Sequence, residues 1–174
     1  DRPLQWSDRD DKAELGSGLA FGSCSLPFVQ EITIAQLKQF DTRVASDILI
    51  FDWWIHNGDR NLTEYGGNPN LLWDHKAEKP LIIDHNLAFD EDFNASEFAE
   101  CHVFRNKINQ IFQDLIERAL YESRFQKVFA QFDSACDNVP EEWWSIGGTP
   151  SSLSRETMRM TLSRYKESNF WKVV

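Results

Sequence analysis

The chain has 174 residues, 41% of them hydrophobic and 13% aromatic, so it can bury a core and is not a disordered sequence. Its net charge of -10 argues against an intrinsic nucleic-acid or anionic-membrane surface, because both partners reward clustered Lys and Arg. Three cysteines, Cys24, Cys101 and Cys136, fit neither a disulfide framework nor a zinc pattern and point to a reducing, cytoplasmic setting.

No apolar run reaches the roughly 18 residues of a membrane span, and no signal peptide is visible. Asp1 to Gly22 is polar and holds the charge run Asp8 to Lys12 with Gly16 and Gly18. Residues 1–30 are therefore expected to be irregular, the connector to or remnant of a preceding lobe, and residues 31–174 to form a helical unit. Asp1 is not a start methionine, which makes a fragment, a processed product or a trimmed chain the expectation.

A short helix is predicted from Thr33 to Phe40, and Asp41 suits the N-cap of a longer one with Val44, Ile48, Phe51 and Ile55 at helical spacing. Gly58 is its expected stop. Asn70 to Trp73 and Leu81 to Asp84 are apolar runs around a polar turn, which predicts a two-stranded hairpin bringing Asn70 and Asp84 to the same end.

After the acidic connector Asp90 to Asp92, a helical pattern over Val103 to Leu120 places Ile108, Ile111, Phe112, Leu115 and Ala119 on one face. Phe125, Val128, Phe129 and Phe132 suggest a second helix. Pro140, Glu141 and Glu142 suggest the first turn of a third, with Trp143 and Trp144 buried or half-buried. Gly147 and Gly148 break it, and a last helix is expected from about Ser151 to Glu167. The expected class is mainly α (α+β), helices around a short β-hairpin.

Asp47 to Phe89 concentrates acids and carboxamides at the ends of these elements. Phosphoryl transfer needs a carboxylate that orients or accepts the proton of an attacking hydroxyl, and hard oxygen ligands for magnesium. Asp59 can be the first, with Asn70 and Asp84 as the ligands. Arg60 cannot accept a proton and suits an ion pair that fixes the loop. Asn68 rivals Asn70 as ligand; Asn70 is preferred because Leu71 and Leu72 follow it directly. His85 is expected to be a structural partner beside Asp84, since His56, His75 and His102 show no paired metal spacing.

Phe51 to Arg60, then Asn68-Pro69-Asn70-Leu71-Leu72, then Ile83-Asp84-His85-Asn86-Leu87-Ala88-Phe89 resemble the catalytic lobe of HipA-like kinases and are similar to motifs of type II phosphatidylinositol kinases. The resemblance implies a kinase-like C-terminal lobe that uses ATP and Mg2+. By motif, Asp59 in its Asp-Arg loop takes the catalytic place with Arg60 beside it. Asn70 and Asp84 take the metal and, with His85, face the cofactor. Against the family's pattern, Asn61 to Gly67 reads as an insertion, which is what makes Asn68 a rival to Asn70, and Asn86 stands where a glycine is more usual; asparagine tolerates the left-handed turn expected there.

A kinase also needs a phosphate-covering loop and a lysine, yet no Gly-x-Gly-x-x-Gly occurs and Lys12 and Lys38 lie in polar or helical contexts. The resemblance therefore implies a catalytic half acting on a hydroxyl acceptor, a protein Ser or Thr or an inositol lipid, that needs its nucleotide lobe. Alternatives are a non-catalytic module that binds a partner lobe or an antitoxin-like regulator, as in toxin-antitoxin pairs, and a metal-dependent phosphohydrolase using Asp59, Asp84 and His85.

Overall fold

The computed structural model describes Leu19 and residues 21–146, 149–151 and 153–172. Strand β1 (Val29–Glu31) leads to helix α1 (Ile34–Lys38) and the long helix α2 (Thr42–Trp54). Strands β2 (Leu71–Asp74) and β3 (Lys79–Ile82) follow, then helices α3 (Ala95–Cys101), α4 (Ile108–Phe112), α5 (Leu115–Phe129) and α6 (Phe132–Asp137). The short pair β4 (Ser145–Ile146) and β5 (Thr149–Pro150) precedes helix α7 (Arg155–Ser163). Three 3-10 turns, Arg105–Lys107, Glu141–Trp144 and Arg164–Lys166, join these elements. The fold is mainly helical with a small three-stranded antiparallel sheet, order β1-β2-β3.

Helix α2 forms the centre because its residues are apolar nearly all round. Ala45, Ile48, Leu49, Ile50, Trp53 and Trp54 are buried, as expected of a helix packed on every side. Asp41 caps its start, accepting from the amides of Arg43 and Val44. At its end the Arg164 guanidinium donates to the carbonyls of Trp53 and Trp54 at 3.1 and 3.3 Å. Two indoles then bolt the C-terminal region to this helix: Trp53 Nε1 donates to Phe170 O at 3.0 Å and Trp54 Nε1 to Leu162 O at 2.8 Å.

The predicted hairpin is present, with Leu71 opposite Ile82 and Asp74 opposite Lys79. A third strand joins it: β1, in the stretch expected to be irregular, pairs Val29 with Asp74 and Glu31 with Leu72. Its three residues are too few to show an alternating pattern. Pro80 is tolerated because β3 is an edge strand. The Thr63–Gly66 bridge closes a tight turn in the predicted insertion. Gly67 after it has φ 145°, and a Cβ there would lie 2.6 Å from Asn61 O.

Several expected boundaries differ. Helix α2 stops at Trp54, ahead of Gly58, because His56 takes the left-handed turn at φ 55°. Phe51 leaves the predicted stripe and is 41% exposed. The Val103 to Leu120 pattern splits because Asp114 accepts from the amides of Ile116 and Glu117 and starts α5 anew; Leu115 and Ala119 are exposed. Phe125, Val128 and Phe129 continue that same α5, while Phe132 opens α6. Glu141–Trp144 is a 3-10 turn in which Trp143 is exposed and Trp144 half-buried. The last helix is shorter than expected, capped by Ser154 with Thr157 and running into the Arg164–Lys166 turn. Gly147 and Gly148, and residues 1–18 and 20, lie outside the described residues.

Trp54 stacks on Phe125 with centroids 4.2 Å apart and holds α2 against α5 and α7. Trp54→Ala is expected to destabilise the fold by about 3–5 kcal/mol, read from urea unfolding.

Candidate functional site

Three segments meet beyond the C-terminal end of α2: the loop 57–60, the turn 68–70 before β2, and 83–85 after β3. Arg60 joins them from beneath, with a side chain that is 0% exposed. Its Nε donates to Asp52 Oδ2 at 2.7 Å. One terminal nitrogen donates to the carbonyls of Asn70, Pro69 and Ile83 at 2.6, 3.2 and 3.3 Å. The other lies 3.2 Å from His85 Nε2, which must accept because a guanidinium only donates. Burial first, then the Arg60 charge, lowers the His85 pKa and keeps this ring neutral.

Asp52 anchors the cluster from within α2 and is itself 0% exposed. Its Oδ1 accepts from Asn57 Nδ2 at 2.9 Å, and its Oδ2 also meets His102 Nε2 at 3.1 Å. His102 Nδ1 accepts from the Phe104 amide, so the single proton of the neutral ring sits on Nε2 and points at Asp52. Burial alone would raise the Asp52 pKa, but the His102 hydrogen bond and the Arg60 charge hold it below the ordinary carboxylate value. Burial lowers the His102 pKa more than Asp52 raises it. Asn57 Oδ1 is buried with no hydrogen-bond partner among the described residues.

Above this base lie Asp59, Asn70 and Asp84. Asn70 Nδ2 donates to Asp59 Oδ2 at 2.8 Å. A carboxylate can only accept, so the amide face toward Asp59 is the NH2 and the carbonyl Oδ1 is left for another partner. The Ile83 amide donates to Asn70 O at 3.1 Å, extending the β2–β3 ladder by one pair, and Asp84 follows directly. The hairpin thus brings Asn70 and Asp84 to one end, as its sequence pattern predicts. Both are left-handed, at φ 47° and 56°, and Asp84 is exposed.

Asn68, the rival to Asn70, has its Oδ1 occupied by the Asn70 amide at 3.0 Å, a turn that shapes the approach to β2. Asn86 is not the left-handed residue; Asp84 and Phe89 are, so the asparagine in place of glycine meets no strain. The loop after Arg60 is pinned laterally, with Leu62 N donating to Cys101 O and Val103 N to Arg60 O. Among the described residues, no three or more His, Cys, Asp or Glu side chains gather as a metal site.

Sequence reasoning placed Asp59, Arg60, Asn70, Asp84 and His85 within one site, and the structure brings them together. It gave no role to Asp52, Asn57 or His102. For Asp52 a signal existed: a lone acid between Phe51 and Trp53, in a helix apolar on all sides, must be buried and so needs a cation. Nothing local in the sequence links His102 to it.

Asp52→Asn leaves the Arg60 charge buried without its counter-ion, and a loss of about 3–5 kcal/mol is expected on urea unfolding. A pH effect follows from the histidines. Folded His56, His85 and His102 all have pKa values below 6.5, His56 at about 4 chiefly through burial, so the unfolded chain binds more protons as pH drops. Stability is expected to fall as pH is lowered from about 6.5 toward 4, and His56→Asn, which accepts the left-handed turn, to flatten that slope in urea melts.

No curated protein and no solved structure matches this chain. The family model described as HipA-like kinase matches residues 1–174, the whole chain. With the Asp-Arg loop and the Asn70–Asp84 pair assembled at one end of a helical fold, the chain belongs to the HipA-like kinase family.

Proposed function

We propose that this chain is the catalytic C-terminal lobe of a kinase that transfers the γ-phosphoryl group of ATP to a hydroxyl, on a protein Ser or Thr. The observation that carries the reading is the Asn70–Asp59 hydrogen bond at the hairpin end that also bears Asp84, with Asn70 and Asp84 both left-handed and oxygen-bearing. Membership of a kinase family supports it. Asp59, half-buried and held by Asn70, orients the acceptor hydroxyl and takes its proton. Asn70 Oδ1 and the Asp84 carboxylate are hard oxygen donors that would hold Mg2+. When bound, Mg-ATP supplies the electrophilic phosphoryl group and neutralises charge on it.

Arg60 acts through others, fixing the spacing of the three segments while remaining out of reach of substrate. His85, next to Asp84 in the chain, ties the 83–85 segment to Arg60. We assign the phosphate-covering loop and lysine to a further lobe, from an extension of this chain or from a partner, with residues 1–30 as the connector to residues 31–174. A cytoplasmic setting fits the three free cysteines; no helix among the described residues is long and apolar enough to cross a membrane.

The test uses the chain joined to its nucleotide lobe, with labelled ATP and protein or inositol-lipid acceptors. Asp59→Asn and Asp84→Asn are each expected to cut transfer by at least about a hundredfold with the unfolding midpoint unchanged. Near-normal turnover in both variants sinks the reading. Magnesium-dependent nucleotide binding without transfer to any acceptor would leave a non-catalytic module that serves a partner.

A further inference from the structure

The net charge of -10 means that carboxylates outnumber cations over the molecule, and one region departs from this background. Lys38, Arg105 and Lys107 line a groove of about 480 Å3 between α1, residues 62–63 and the Arg105–Lys107 turn. Arg105, Arg118 and Lys172 line a second groove of about 410 Å3. Arg105 belongs to both, so the grooves adjoin, and neither is lined by an Asp or Glu among the described residues.

These five cations also lack carboxylate partners among the described residues, as do Lys76, Lys79, Lys127, Arg164 and Lys166 outside the two grooves. Arg43, Arg60, Arg124, Arg155 and Arg159 each pair with a carboxylate, whereas none of the groove cations forms an ion pair among the described residues. Backbone carbonyls hold the two arginines in place. Arg105 donates to Leu62 O at 2.8 Å and Arg118 Nε to Phe112 O at 2.6 Å, contacts that orient a guanidinium without neutralising it. Among the described residues Lys107 Nζ reaches only the Thr42 hydroxyl, at 3.4 Å.

Between the cations lie both apolar and uncharged polar side chains, Leu37, Phe104, Thr63 and Asn106 in the first groove and Ile108, Phe112, Asn109 and Gln113 in the second. Carboxylates interleaved with apolar side chains match that lining. A nucleic acid offers a continuous phosphate charge that the acidic remainder of the chain repels. Position adds a second argument. Leu62 lines the first groove and follows Asp59 by three residues, which reach at most about 10 Å of extended chain.

We propose that these adjoining grooves dock an acidic polypeptide segment of the phosphate acceptor, three or four residues from the hydroxyl presented to Asp59. The placement rests on the phosphoryl-transfer reading; the affinity for an acidic peptide does not.

The experiment titrates the 174-residue chain into labelled short peptides of alternating Glu and Leu, the same peptides with Lys for Glu, and a single-stranded oligonucleotide, at low and physiological salt. The Glu peptide is expected to bind, more weakly as salt rises, and the Lys peptide not to bind. Lys38→Glu with Lys107→Glu is expected to weaken the Glu peptide at least about tenfold, while Lys76→Glu with Lys127→Glu, outside the grooves, leaves it unchanged. Circular dichroism checks that each variant is folded. No binding of the Glu peptide, equal binding by both double variants, or tighter binding of the oligonucleotide overturns the proposal. Transfer in the two-lobe protein separates the two readings. Transfer indifferent to Lys38 and Lys107 reversal overturns the docking alone, and peptide binding without any transfer overturns the kinase reading alone.

Discussion

The buried contact between Asp52 and Arg60 is the constraint on which the rest of the site depends. An ionised carboxylate and a guanidinium, each fully removed from water, are tolerable only if they meet each other and if their remaining donors and acceptors are filled. Asp52 is rigid because it sits in the most buried helix. Arg60 is therefore held at a fixed depth, and its other nitrogens must find acceptors where they point. They find the carbonyls of Pro69, Asn70 and Ile83, so three segments distant in sequence are spaced by one side chain. Such a pair contributes less to net stability than to uniqueness, since an apolar pair of equal volume would pack as well but would space nothing.

Two neutral imidazoles complete the arrangement, in opposite senses. His102 donates from Nε2 to Asp52, while His85 accepts at Nε2 from Arg60. The buried set thus carries one negative charge, one positive charge and no excess, which accounts for its depth in a low-dielectric interior. The aromatic packing around it serves the same end. Phe98 lies against His102 at 4.7 Å and Trp53 at 5.5 Å, walling water away from the Asp52 carboxylate.

Much of this was legible in the sequence, for identifiable reasons. The Asp41 cap, the hairpin and the grouping of Asp59, Arg60, Asn70, Asp84 and His85 follow from local chemistry: a short acid at a helix start, apolar runs about a polar turn, and a motif order. Boundaries set by tertiary contacts were not legible. His56 rather than Gly58 ends α2 because its ring stacks on Phe93 at 4.5 Å and Phe89 N bonds Ile55 O, interactions made with residues far along the chain. The third strand was hidden because three residues carry no period. The interior half of the site was hidden for the deeper reason that a residue acting from beneath, such as His102, announces itself only through the neighbour it touches.

The left-handed backbone at Asn70 and Asp84 has a consequence for how such a site can vary. Among residues with side chains, Asn and Asp enter that conformation most readily, and they are also the short side chains that offer a hard oxygen. Backbone geometry and ligand chemistry thus select the same two residue types at both positions. A glutamate would keep the oxygen but resist the turn, and a glycine would keep the turn but lose the oxygen, so Asp and Asn exchange is the narrow path along which this pair can drift without the hairpin end changing shape.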